Sequence, residues 1–219
     1  MASFQLIRKI TQYSKLLICI EEELKVSIGP ALIAIVGPPA VGKSTLAKQL
    51  VNDLKLNGYL VQFCPMDGFH MTNKQLDEVG LRDAKGRIDT FQANAFSNAV
   101  KRLKSKKSFW WPIFSRTKDN PISEGSFING KEDIYILEGN YLLENSEPWV
   151  STAKNYQLSI FVDLPDKTLR ERLHIRHKKG GYSFNIIKDK IDNIDMLNAS
   201  MIRETQSNSD IIFSEPSNY

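Results

Sequence analysis

Residues 31–48, ALIAIVGPPAVGKSTLAK, constrain the fold more than any other stretch of this chain. The run Leu32-Ile33-Ala34-Ile35-Val36 has the composition of a strand buried on both faces. Gly37 ends the run. Gly42-Lys43-Ser44-Thr45 follows after four residues and leads into the helix-forming Leu46-Ala47-Lys48-Gln49-Leu50. This is G-x-x-x-x-G-K-S/T with the strand before it and the helix after it that the motif requires. An ordinary glycine-rich turn is the competing reading, and both flanks argue against it.

The spacing carries chemistry. A loop whose amide N–H groups turn inward makes a nest for an anion, and a helix N-terminus adds further unpaired N–H groups and a favourable dipole. Glycine lets backbone approach phosphate closely, and Pro38-Pro39 stiffens the loop. Residues Gly37, Pro38, Pro39, Ala40, Val41, Gly42, Lys43, Ser44 and Thr45 are therefore expected to hold ATP. Lys43 would reach the β- and γ-phosphates, and the Ser44 hydroxyl would contribute to a Mg²⁺ shell; Thr45 is a weaker phosphate contact.

The 219 residues suit one globular domain, 1–219, and 42% hydrophobic residues can fill a core. A net charge of +4 fits a protein that handles polyphosphates and is too small to argue for nucleic-acid binding. Cys19 and Cys64 have no metal-ligand spacing, so a reduced, cytoplasmic setting is the expectation. No stretch reaches membrane-spanning length, and Leu16–Ile20 is too short and too deep for a secretory signal.

In chain order, 3–25 reads as one amphipathic helix, with Phe4, Ile7, Ile10, Leu17 and Ile20 at helical spacing. The first strand, the phosphate loop and a helix to Asn57-Gly58 follow, then a second strand at 59–64. A polar segment covers 71–90. Residues 91–103 read as a helix capped by Asp89 or Thr90. The aromatic run 109–114 leads into loop and short hairpin at 115–131. Further strands fall at 133–137, 158–162 and 210–213, and helices at 147–153, 166–178 and 183–205, with a break at Gly180-Gly181. The alternation predicts an α/β fold with a five-stranded parallel sheet flanked by helices, which with the phosphate-loop motif makes a P-loop NTPase fold; an acceptor-side insertion at about 66–132 and a helical lid at about 166–182 are what the family resemblance given below implies.

In such sheets ligands sit beyond the carboxyl ends of the strands. Asp67 and Glu138 each follow a predicted strand and so share the rim with the phosphate loop. From position alone, Asp67 either takes a proton from an acceptor hydroxyl or caps a turn. Glu138 either holds a magnesium-bound water or pairs with a lysine. Asp163 has the same placement and can serve structure alone. Arg172 and Arg176 lie one helical turn apart on one face, where two guanidiniums suit a transferring phosphoryl group; a solvated basic face is the other reading. A lone histidine such as His70, His174 or His177 is more often structural, and Trp110-Trp111 reads as packing.

The stretches GPPAVGKST (37–45), MDGFHMTN (66–73), GLRDAKGRIDTF (80–91), PIFSRT (112–117), EGNYLL (138–143), FVDLP (161–165) and RERLHIRH (170–177) together resemble the phosphoribulokinase/uridine kinase/pantothenate kinase group of P-loop kinases. The bacterial nucleoside/nucleotide kinase family proteins are the nearest resemblance. It implies that Asp67 is the catalytic base, Glu138 the metal-side glutamate, Arg172 and Arg176 the lid arginines, and Arg116 an acceptor-side arginine. Phe69, His70 and Asn140 would border the acceptor pocket, and a homodimer would be in keeping with relatives. Ser115, Gln92 and Leu197 depart from the group's pattern, two of them on the acceptor side.

The expected activity is transfer of the γ-phosphate of ATP, with Mg²⁺, to a hydroxyl of a nucleoside, pantothenate-like or sugar-like small molecule. The alternative is a nucleotide-dependent regulatory or binding protein with slow or no hydrolysis. No N-K-x-D sequence follows a strand, which argues against a GTPase.

Overall fold

A computed structural model describes residues 7–214. Its main sheet has six parallel strands in the order β1-β8-β7-β2-β6-β3: Arg8–Ile10, Ile211–Phe213, Leu158–Val162, Ala31–Val36, Ile134–Gly139 and Val61–Pro65. β2 lies at the centre, between β7 and β6. All six of its side chains are buried, as its unbroken apolar run requires. Leu32, Ala34 and Val36 face one core, while Ile33 and Ile35 face the other, so strand alternation divides one hydrophobic run between two layers.

The layer under Ile33 and Ile35 is built from α1 (Tyr13–Lys25), α2 (Lys43–Leu56), and Leu169 of α6 (Asp166–Lys179). The opposite layer holds α4 (Ala93–Leu103), α5 (Trp149–Ala153) and an antiparallel hairpin, β4 (Phe109–Ser115) with β5 (Asn120–Ile128). Trp111 is fully buried there, and its indole N–H donates to the Pro65 carbonyl at 3.0 Å, which ties the hairpin to the end of β3. Trp110 stays half exposed against Phe127. Past Gly180-Gly181, α7 (Phe184–Lys190), a π-helical turn (Ile191–Asp195) and α8 (Met196–Glu204) form one helical run. Leu173, Ile187 and Ile191 make a small separate core there, with Ala40 of the phosphate loop packed against it.

The parallel α/β sheet is as expected, with three corrections. The sheet has six strands, not five. The single helix expected over 3–25 is instead β1 followed by a helix that begins at Tyr13; residues 3–6 of that expectation lie outside the described residues. β1 is only three residues long and exists because it pairs with β8, some 200 residues downstream. The helix after the polar segment starts at Ala93, and neither Asp89 nor Thr90 caps it. Thr90 is buried and its hydroxyl serves the preceding loop, accepting from Gly86 N–H and donating to the Arg87 carbonyl. The polar segment also holds a short helix, α3 (Asn73–Glu78), closed by a reciprocal Thr72/Gln75 capping box.

Candidate active site

β2 delivers the chain to the loop at 37–42, and α2 takes it away. Ala40 and Gly42 both have left-handed backbone, at φ 62° and 106°. Alternating handedness of this kind curls amide N–H groups toward one point. The N–H groups of Ala40, Gly42, Lys43 and Ser44 have no acceptor among the described residues. Lys43 is buried, and its ammonium donates to the Pro38 carbonyl at 2.8 Å. Burial lowers its pKa, while the negative charges of Glu138 and Asp67 oppose that shift. The loop therefore presents several unsatisfied donors and one desolvated cation, which is a strong anion receptor.

Ser44 donates its hydroxyl to Glu138 Oε2 at 3.2 Å. Glu138 sits near the end of β6, opposite Ile35 of β2, which places it beside the loop. Burial raises its pKa, Lys43 opposes the rise, and the charge of Asp67 adds to it. Asp67 belongs to a 3₁₀ turn, Met66–Phe69, that follows β3. Its carboxylate has no hydrogen-bond partner among the described residues, and its charge is felt at Lys43, Glu138 and His70. The turn is tight because the backbone of β4 lies directly on Gly68: a Cβ there would be 1.9 Å from the Pro112 carbonyl oxygen.

These groups open onto one cleft of about 1640 Å³. The phosphate loop from Pro39 to Thr45 lines it, together with Asp67, His70, Phe91, Arg116, Glu138 and Asn140, and with Arg172, Arg176, Asn193 and Leu197. Arg172 donates to the Val41 carbonyl at 3.0 Å, so helix α6 already rests on the loop. The charge of Arg176 is felt at Lys43. Arg116, at the end of the hairpin's first strand, is exposed and has no hydrogen bond or ion pair among the described residues.

Phe69 is a correction. Its ring is buried edge-on against Phe96 and Trp111, at centroid distances of 5.3 and 5.0 Å, and it supports the turn from beneath instead of lining the cleft. The turn geometry sends the Phe69 and His70 side chains in different directions, which sequence spacing does not reveal. Asp163 belongs to structure: its Oδ1 accepts from Leu164 N–H and from Arg203 Nε, and Arg203 also reaches the Leu164 carbonyl and Asp166. His177 pairs with Asp195 at 2.7 Å, linking α6 to the π-helical turn. Ser115 Oγ accepts from Lys118 N–H in the hairpin turn, and Gln92 reaches the His70 carbonyl at 3.4 Å.

Sequence reasoning missed Lys85. Its ammonium donates to Asn73 Oδ1 and the Asp119 carbonyl, pairs with the Asp119 carboxylate at 2.8 Å and lies over the Phe114 ring. It fastens the hairpin tip to the segment after α3. A lysine in a polar loop carries no local signal of such a role.

The oxygen-only pair of Ser44 and Glu138 suits magnesium, a hard cation that takes few protein ligands and keeps waters and phosphate oxygens. Among the described residues no cluster of three or more His, Cys, Asp or Glu side chains is placed to hold a metal by itself. No described helix is long and apolar enough to cross a membrane.

The model of the phosphoribulokinase/uridine kinase family matches residues 32–218. A Schizosaccharomyces pombe protein named "putative uridine kinase" is 28% identical over 84% of this chain and 83% of its own length. The pantothenate kinase of Lactococcus lactis is 30% identical over 65% of this chain and 47% of its own, so the chain spans about half the length of the pantothenate kinases it matches. The crystal structure of a "putative fructose transport system kinase" from a Silicibacter species superposes with a TM-score of 0.86 at 29% identity, covering 93% of this chain and 99% of that one.

Proposed function

The chain belongs to the phosphoribulokinase/uridine kinase family, and from that premise we propose that it transfers the γ-phosphoryl group of ATP to a hydroxyl of a small-molecule acceptor. One observation carries this reading: Asp67 and Lys43 line the same cleft, and the negative charge of Asp67 acts on the buried Lys43. A carboxylate opposed to a phosphate receptor is the minimum apparatus for moving a phosphoryl group to an alcohol.

The loop amides and Lys43 hold the triphosphate. Arg172 and Arg176 reach it from α6, which acts as a lid over the loop. Asp67 takes the proton from the acceptor hydroxyl as that oxygen attacks. Arg116, His70 and Asn140 border the acceptor. Ser44 and Glu138 would hold Mg²⁺, which would supply positive charge to offset that of the phosphates. Positioning and charge neutralisation supply most of the rate.

The relatives carry names for different acceptors, so the test is a screen. ADP release is measured with nucleosides including uridine, with pantothenate, and with sugars including fructose and their acids. Turnover that depends on one class of acceptor supports the kinase reading. Hydrolysis indifferent to every acceptor supports the regulatory alternative.

A further inference from the structure

All strands of the main sheet run parallel, so the molecule has two unlike ends. The cleft opens at the carboxyl ends of the strands. At the amino ends lie the turns that leave α1, α2 and α4, and the end of β5. These segments are contiguous. Ala31 N–H donates to the Asp133 carbonyl, and Leu60 and Asp133 bond each other through main chain and carboxylate. Lys55, Leu60, Asn129 and Glu132 line one pocket of about 420 Å³. The main chain of Lys106 lies directly on Gly130, where a Cβ would be 2.3 Å from the Lys106 carbonyl oxygen.

Aliphatic side chains project from this end: Ile28 is fully exposed, Leu56 is 78% exposed and Leu60 56%. Lys25, Lys55, Lys104, Lys106, Lys107 and Lys131 share it, and none has an ion pair or side-chain hydrogen bond among the described residues. Lys25 and Lys55 lie in the last turns of α1 and α2, where the helix dipole favours a cation. Lys106, Lys107 and Lys131 lie outside every described helix, so the dipole does not account for them. Most carboxylates here are engaged. Glu132 accepts from the Asn129 and Gly130 N–H groups and the Tyr135 hydroxyl, Asp133 from Leu60 N–H, and Glu21 from Asn57. Glu22 of α1 is exposed and has no partner among the described residues, which leaves the lysines in excess.

We propose that this end of the molecule docks on an anionic bilayer surface, with Ile28, Leu56 and Leu60 in the headgroup layer and the lysines against the lipid charge. Exposed aliphatic tips beside unpaired ammonium groups complement an interface that is apolar beneath and negative on top. A second copy fits poorly, because a two-fold contact sets each group of lysines against its own kind. Nucleic acid favours forked donors, whereas lysine is a point charge without preferred geometry, and Arg102 at the end of α4 already lies over the Phe109 ring at 4.2 Å. Trp110, half exposed beside Phe127 on the next pair of the hairpin, is the residue type that favours a bilayer interface. The cleft is at the opposite end, so the docked protein keeps it open to solution.

The test uses the whole protein and does not depend on the kinase reading. Co-sedimentation compares vesicles of phosphatidylcholine with vesicles that also carry about 30% phosphatidylserine. The protein is expected to pellet with the charged vesicles, to stay in solution with the neutral ones, and to be released by high salt. The double variant Lys106→Glu, Lys107→Glu is expected to weaken vesicle binding by on the order of ten-fold or more. The double variant Leu56→Gln, Leu60→Gln is expected to weaken it by a similar factor. All four side chains are exposed, so both variants keep the melting temperature and the ATP affinity of the wild type. No pelleting with charged vesicles, equal pelleting with neutral ones, or wild-type binding by either variant overturns the proposal. Polyuridylate and polyglutamate serve as competitors at a charge concentration equal to that of the phosphatidylserine. Release from the vesicles by either one also overturns the proposal and gives this end of the molecule to nucleic acid or to an acidic protein.

Discussion

Gly68→Ala tests how the proposed base is positioned. A Cβ at this residue would lie 1.9 Å from the Pro112 carbonyl oxygen, 2.3 Å from its carbon and 2.8 Å from Ile113 N. All three atoms are main chain of β4 and cannot rotate away. Ordinary contact begins near 3.4 Å, so turn and hairpin must separate by roughly 1.5 Å. The hairpin resists, because Trp111 is buried beneath it and bonded to Pro65. Overpacking of this kind costs ~1–3 kcal/mol. In a chain of this size each kcal/mol is worth about 2–4 °C, so the melting temperature should fall by roughly 2–12 °C. Asp67 is the neighbouring residue, and a shift of about 1 Å in a reacting group can cost on the order of 10²-fold in rate. The assay is paired: thermal unfolding by circular dichroism, and ADP release at a temperature where both proteins are folded. Leu54→Ala serves as control. Leu54 is fully buried near the far end of α2, and its truncation costs ~2–5 kcal/mol without touching the turn. Gly68→Ala should lose turnover and keep ATP affinity, while Leu54→Ala should lose stability and keep turnover. A Gly68→Ala protein with wild-type melting and turnover would refute the close approach of β4 to this turn.

Asp67→Asn should leave ATP binding intact and lower turnover by about two orders of magnitude or more; near wild-type turnover would remove Asp67 from the chemistry. Lys43→Ala should weaken ATP binding measured by calorimetry, and an unchanged affinity would count against the loop as the phosphate receptor. Because burial raises the pKa of Glu138 in the folded state, its contribution to stability is full below pH 4.5 and is lost as pH rises through the raised value. Urea midpoints of Glu138→Gln should therefore decline less from acid toward neutral pH than those of the wild type; parallel curves would contradict the shift. The Tyr156 hydroxyl is buried without a partner among the described residues, so Tyr156→Phe should be neutral or stabilising by up to ~1 kcal/mol in urea unfolding. A clear loss would reveal a bound water or another partner.

The sequence by itself determined the phosphate loop and the shared helix face and sheet rim, each of which follows from a few consecutive residues. The loop from Gly37 to Thr45 is legible because its strand, glycines, lysine and helix are adjacent in the chain. Arg172 and Arg176 share a face because 3.6 residues make a turn. Asp67 and Glu138 could be assigned to one rim because parallel α/β sheets gather their strand ends there. Tertiary structure alone decided whatever needs a distant partner. Three residues, Arg8–Ile10, show no strand pattern of their own and become a strand only against Ile211–Phe213. Phe69 and His70 are neighbours in the chain, yet one ring enters the core beside Trp111 and the other enters the cleft between Phe91 and Phe114. The backbone contact above Gly68 and the grip of Lys85 on the hairpin tip arise where segments 34 to 44 residues apart meet. Propensity and periodicity report forces between near neighbours, whereas packing fixes which side chain of a pair is buried and which is left to meet a ligand.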